Sequence, residues 1–291
     1  PSLRQVQRTE RERLHFVKMR GTGNDYLYFN CFEQQVESPE SLAVRLSNRR
    51  TGVGSDGIVL IMPSETCDAK MRVFGADGSE SFTAGNTIRC VGKYLYETGR
   101  VRKEKMTIEI GGAGKDLQLY LWDSSVFSVQ VDMGKPEFAP ERVPVKLDGE
   151  RVIDREVFLA GENRRICCLS MGNPHMVQFV DDLARIHLEN VGPQIETDPL
   201  FPERVTASFA TILERNIIKM RVWERGIGET EACGTGACAA AVAAVEMGLC
   251  DRDTDISVRL PGGELVVRYE SSGLVWLTGD AKRDFEGEVE I

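Results

Sequence analysis

The chain has 291 residues, 42% of them hydrophobic and 28% charged, the balance of a folded globular protein with a sizeable core. Its net charge of −9 argues against a nucleic-acid partner, which would want a basic face. No apolar run approaches the ~20 residues of a membrane span, and the first residues are polar rather than signal-like, so a cytoplasmic protein is the expectation. Eight cysteines without a CxxC pair, and three histidines, point to reduced thiols rather than disulfides and supply no metal centre.

Residues 1–14 read as a charged lead-in. Ser38 as N-cap and Pro39 at the first position open a helix over Pro39–Arg49. Strands follow at Ile58–Met62 and Met71–Phe74 by β-branched content and alternation. A helix over Gly85–Thr98 places Ile88, Val91 and Leu95 on one face and stops at Gly99. Further strands fall at Phe127–Val131, Ile166–Leu169 and Ile217–Trp223. An Ala-rich helix runs from about Gly234 to Met247, apolar all round and therefore buried, with Gly248 as its stop. Strands at Ile256–Leu260, Leu265–Tyr269 and Leu274–Leu277 complete the series.

A long internal repeat organises these elements. Met71-Arg72-Val73 recurs 149 residues later as Met220-Arg221-Val222, followed each time by an aromatic residue. The same register pairs Gly23-Asn24 with Gly172-Asn173, Glu80 with Glu229, Gly85 with Gly234, Glu97 with Glu246 and Gly99 with Gly248. The expected fold is α+β. It comprises two pseudo-symmetric domains, each a β-sheet wrapped around a central helix, with the active site in the cleft between them. The divisions expected are 1–14, 15–135 completed by 280–291, and 136–279.

The segment Glu229 to Ala237 ends a strand, turns through glycines and opens the buried helix just after Cys233. Free N–H groups of Gly234, Thr235 and Gly236, with the positive end of the helix dipole behind them, form a cradle for a carboxylate or phosphate. The same position is expected to lower the Cys233 thiol pKa and make it a base or nucleophile; the alternative is a small buried cysteine at a packed turn. The repeat adds a second helix start at Ala84-Gly85-Asn86-Thr87. Two such ends facing one cleft would hold an amino-acid carboxylate and stabilise the charge that builds when its α-proton leaves.

Four segments carry a family resemblance: Phe16 to Asp25, Ala76 to Glu80, Gly172 to His175, and Glu224 to Gly236. From about residue 15 to the C-terminus the chain resembles the diaminopimelate epimerases. The resemblance implies interconversion of LL- and meso-diaminopimelate, toward lysine and peptidoglycan, without pyridoxal phosphate, metal or other cofactor. It also implies a thiolate and a thiol on opposite faces of the α-carbon. By position, Cys233 is one of the pair, Gly85-Asn86 and Gly234-Thr235 resemble the carboxylate cradle, and Asn24, Asn173, Glu224 and Arg225 lie where the family holds substrate. His175 and Glu229 lie in family motifs with their roles open. For Asn24 and Asn173 the competing explanation is turn chemistry after glycine, and for Arg225 a surface ion pair.

The departures are specific. Where the family has its second cysteine in Cys-Gly-Asn-Gly, this chain has Ala84-Gly-Asn-Thr87. Cys90 lies roughly 9 Å further along the helix and is no substitute. Two family asparagines at the distal end of the substrate are Gly75 and Thr206. Several such changes together fit natural divergence better than a single engineered knockout. The sequence therefore implies a small-molecule amino-acid racemase or epimerase with one thiol, for which a homodimer is a compatible assembly. The rival readings are a one-base lyase, an epimerase of a different amino acid, and a catalytically silent amino-acid-binding relative.

Overall fold

The computed structural model describes residues 12–82 and 85–291; Ala84 and most of the charged lead-in lie outside the described residues. The first half contains β1 (Arg13–Gly21), β2 (Asn24–Asn30), α1 (Pro39–Ser47), β3 (Gly57–Met62), β4 (Ala69–Gly75) and β5 (Glu80–Ser81). It continues with α2 (Thr87–Glu97), β6 (Lys105–Ile110), β7 (Ala113–Trp122) and β8 (Ser125–Asp132). The second half opens with β9 (Val152–Leu159), β10 (Glu162–Ser170), β11 (Pro174–Phe179), α3 (Leu188–Glu196) and β12 (Thr206–Glu214). Then come β13 (Ile217–Glu224), β14 (Gly228–Thr230), α4 (Gly234–Glu246), β15 (Asp255–Leu260), β16 (Gly263–Tyr269), β17 (Val275–Asp280) and β18 (Lys282–Glu290).

The duplication is visible in the pairing pattern as well as in the sequence. In the first half β2 and β3 run parallel, as do β4 and β6. In the second half β11 and β12 run parallel, as do β13 and β15. Each parallel pair spans a helix, α1 or α2 in one copy and α3 or α4 in the other, as parallel connections require. The last strand completes the match: β18 pairs antiparallel with β1 just as β9 pairs with β10. The chain thus returns to its first half at the end, and β8 pairs with β17 where the halves meet.

Burial explains the two central helices. Ala237 to Ala244 of α4 are 0% exposed and pack against Val222, Val258, Val267 and Leu277. In α2, Ile88, Val91 and Leu95 pack against Val59, Val73, Ile108 and Val129. Smaller clusters lie under the outer helices, with Leu42 and Leu46 of α1 against Phe29 and Phe74, and Leu188 and Ile195 of α3 against Phe209. The α+β architecture of helices inside curved sheets is as the sequence indicates.

Two local expectations change. Ser38 sits at φ 48 and makes no side-chain capping bond, so α1 relies on Pro39 and on burial. Helix α2 opens at Thr87, later than the repeat register requires; Asn86 at its N-cap makes no side-chain capping bond, and its Nδ2 donates to Asn24 instead. Helix α3, with Pro193 inside it, carries no pattern that the sequence reading recognised.

Candidate active site

The candidate site lies where the starts of the two central helices meet. A Cβ built on Gly85 would lie 3.4 Å from the Gly234 Cα, and one built on Gly234 would lie 3.3 Å from the Gly85 Cα. Glycine at both positions lets the two backbones approach this closely without displacing either one.

On the α4 side Cys233 is the N-cap, extended at φ −136, and its Sγ accepts the Gly236 N–H at 3.3 Å. The Thr235 hydroxyl lies 3.6 Å from the same sulfur. Contrary to the sequence expectation, the thiol pKa is raised. Burial dominates, the nearby Glu224 charge adds to it, and the Thr235 and Gly236 hydrogen bonds oppose both only in part. Glu224 is itself pushed up by burial and by the Asp56 carboxylate, against a hydrogen bond from Thr230. Cys233 and Glu224 therefore form a shielded thiol–carboxyl pair, with the sulfur protonated in the free protein.

On the α2 side Asn86 is buried and donates from Nδ2 to the Asn24 Oδ1. Asn24 in turn donates to Asp56 Oδ2 at 3.2 Å. Asp56 also accepts the Asp25 N–H at 3.1 Å and an Arg49 N–H at 3.1 Å, which fixes its carboxylate. Asp56 belongs to the first half and Glu224 to the second, and the Asp56 charge reaches Glu224 from across the two halves.

Asn173, His175, Thr206 and Arg225 gather on the second half. His175 and Thr206 are partners in the β11–β12 ladder, and His175 Nε2 lies 2.9 Å from Asn173 Oδ1. Complete burial, with the Arg225 charge nearby, lowers the His175 pKa to about 3, so the ring is neutral. The Thr206 hydroxyl accepts the Arg225 N–H at 3.1 Å, and the Arg225 guanidinium donates to the Glu203 carbonyl at 3.1 Å. Gly75 ends β4 opposite Gly57 and lies next to Ala76, whose N–H donates to the Asp56 carbonyl at 2.9 Å. Glu229 is held by Arg221 at 2.8 Å, the counterpart of the Arg72–Glu80 pair at 2.8 Å in the first half.

The structure adds residues that the sequence did not single out. Asp56 and Thr230 touch the proposed substrate residues directly. Glu196 on α3 accepts the Gly226 N–H at 2.8 Å and the Trp223 indole N–H at 2.7 Å, bracing the turn that carries Glu224 and Arg225. Asp56 and Glu196 map to Val205 and Ser47 in the repeat register, so no internal signal marked them; Thr230 maps to Ser81, a match that a hydroxyl alone does not make distinctive.

Comparison with known proteins supplies the identity. The sequence model described as diaminopimelate epimerase matches residues 16–139 and 167–283. A diaminopimelate epimerase of Acetivibrio thermocellus is 47% identical over 279 residues, covering 96% of this chain and 99% of that protein. One from Desulfovibrio desulfuricans is 46% identical over 285 residues, with 96% and 99% covered. Among solved structures, a phenazine biosynthesis protein of the PhzF family from Bacillus anthracis superposes with TM-score 0.69 at 18% identity, covering 96% of this chain and 100% of that one. A hydroxyproline epimerase from Agrobacterium vitis gives TM-score 0.61 at 14% identity, with 95% and 91% covered, a likeness of fold.

Proposed function

The chain belongs to the diaminopimelate epimerase family and is an isomerase of the epimerase type, and from that premise we propose that its substrate is diaminopimelate, bound between 15–135 with 280–291 and 136–279. The observation that carries this reading is the contact of Gly85 with Gly234, with Cys233 on one side and Asn86 and Asn24 on the other.

The substrate α-carboxylate lies across the two helix starts, where backbone N–H groups and helix dipoles favour negative charge. Glu224 takes the Cys233 proton, and the resulting thiolate is held by the Gly236 N–H and Thr235. The thiolate then takes the α-proton: the Cα–H bond breaks, the proton passes to sulfur, and the electron pair moves into the carboxylate. Preorganised donors stabilise that charge more in the transition state than in the ground state. Asn173, Thr206 and Arg225 receive the distal end. No cofactor is needed for these steps.

Return of the proton determines the stereochemical outcome. Position 84 carries alanine, which cannot donate, so Cys233 returns hydrogen to the face it came from and inversion depends on water at the other face. Incubation of LL-diaminopimelate with the protein in D₂O, followed by NMR and chiral chromatography, tests this. The expected result is α-deuteration that outpaces formation of the meso form. No deuteration of LL-diaminopimelate would overturn the substrate assignment, and loss of a β-substituent from other amino acids would favour a one-base lyase.

A further inference from the structure

Behind the two helix starts lies a cation that the reaction scheme does not use. Arg89, on the first turns of α2, is 0% exposed and heads the fully buried large side chains. Its Nη1 donates to the Gly85 carbonyl at 3.0 Å, its Nη2 to the Thr22 hydroxyl at 2.8 Å, and its Nε to the Asp280 carbonyl at 3.0 Å. The space for it is made by glycine: a Cβ on Gly279 would come within 2.7 Å of the Arg89 Cζ, and one on Gly21 within 3.2 Å of Nη2. Thr22 is fixed in turn at φ 45, where its N–H and hydroxyl reach Asp280 Oδ1 at 2.8 and 3.0 Å.

The repeat shows that this arrangement is one-sided. The position equivalent to Arg89 in the second half is Cys238, and the two lie within electrostatic reach of each other across the pseudo-twofold axis. A second arginine there would place like charges together inside the protein. One guanidinium therefore stands behind both helix starts, and it stays charged because arginine does not deprotonate in proteins. Its hydrogen bonds go to two carbonyls and a hydroxyl, so among the described residues the Asp280 carboxylate, itself engaged by Thr22 and Lys282, is what offsets the charge.

We propose that Arg89 is the positioning residue of the anion cradle, holding the Gly85 carbonyl so that the two helix starts meet and giving the Cys233–Gly234 end a fixed positive potential. This rests on the reading of those helix starts as a carboxylate site. It adds a charge that the helix dipoles alone do not supply. Because the guanidinium is buried, its field at Cys233 is screened far less by salt than that of a surface arginine.

The test needs no substrate. The alkylation rate of Cys233 is measured by peptide mapping with anionic iodoacetate and with neutral iodoacetamide, and the ratio of the two is taken relative to Cys67 in the same sample. Removing the charge in Arg89→Met is expected to lower that ratio about fivefold, the effect of roughly 1 kcal/mol of charge interaction. Arg89→Lys is expected to keep it within about twofold. Asp280→Asn removes the offsetting charge and is expected to raise the ratio, which decides the matter if Arg89→Met does not fold. A purely structural role would change both alkylation rates together and leave the ratio unmoved. An unchanged ratio in Arg89→Met and Asp280→Asn, or an equal fall in Arg89→Lys, would overturn the proposal. Failure of the epimerase reading would instead appear as absent exchange in D₂O, with this ratio unaffected.

Discussion

Gly85 and Gly234, 149 residues apart in the chain, meet backbone to backbone, and an added Cβ on either would touch the other's Cα at 3.4 or 3.3 Å. The contact is not symmetric. A Cβ on Gly234 would also come within 3.0 Å of Leu277 Cδ2, whereas a Cβ on Gly85 meets nothing closer than 3.4 Å among the described residues.

Gly234→Ala should therefore cost about 1–3 kcal/mol of stability by overpacking, and Gly85→Ala clearly less. Denaturant midpoints of the two variants check this order. Equal midpoints would mean that the helix starts adjust freely.

Glu224 should act on Cys233 in two opposed ways. Its charge helps raise the thiol pKa, so Glu224→Gln is expected to alkylate faster at Cys233 at a given pH. The same variant lacks the group that takes the thiol proton, so α-proton exchange should fall by about 10²–10⁴-fold. Alkylation and exchange falling together would rule out the paired arrangement.

Neutral His175 should appear in the acid limb of stability. Its pKa is depressed to about 3 in the folded chain, so below about 6.5 the unfolded state binds the extra proton. The stability contributed above that pH is lost as pH falls toward 3, at up to about 1.4 kcal/mol per unit for this one group. His175→Gln should flatten the slope between pH 6 and 4 whatever its effect at neutrality. An unchanged slope in urea titrations would place the histidine in a hydrated environment.

Ala84→Cys should restore a donor to the second face of the α-carbon. Inversion is expected to rise by about 10²–10⁴-fold, the usual worth of a positioned acid, while same-face exchange changes little. Chiral analysis alongside deuterium uptake separates the two. Inversion by the unaltered chain at an ordinary turnover near 10 s⁻¹ would show that another acid serves that face.

Periodicity and repetition made the fold's plan legible in the amino-acid sequence. The buried helix α4 followed from its unbroken alanine face, and the duplication from motifs in one register. Strands with one buried face, such as β15 and β16, alternate and could be read. Strand β18 could not, because most of its residues are exposed and no alternation marks it. Cys233 and the glycines could be placed at the two helix starts from sequence, since a turn and a helix opening are local features, but the approach of Gly85 to Gly234 could not, since it joins positions 149 residues apart.

What only the tertiary structure decided is the charge around them. Asp56 reaches Asn24 and the field of Glu224, and Arg89 reaches Asp280 across 191 positions of sequence. The Cys233 thiol is raised where the local pattern suggested lowering, because a helix start acts over a few ångströms while desolvation depends on everything packed around it. Local sequence places the donors at a helix end; burial and remote charges, brought close only by folding, set the proton's resting place.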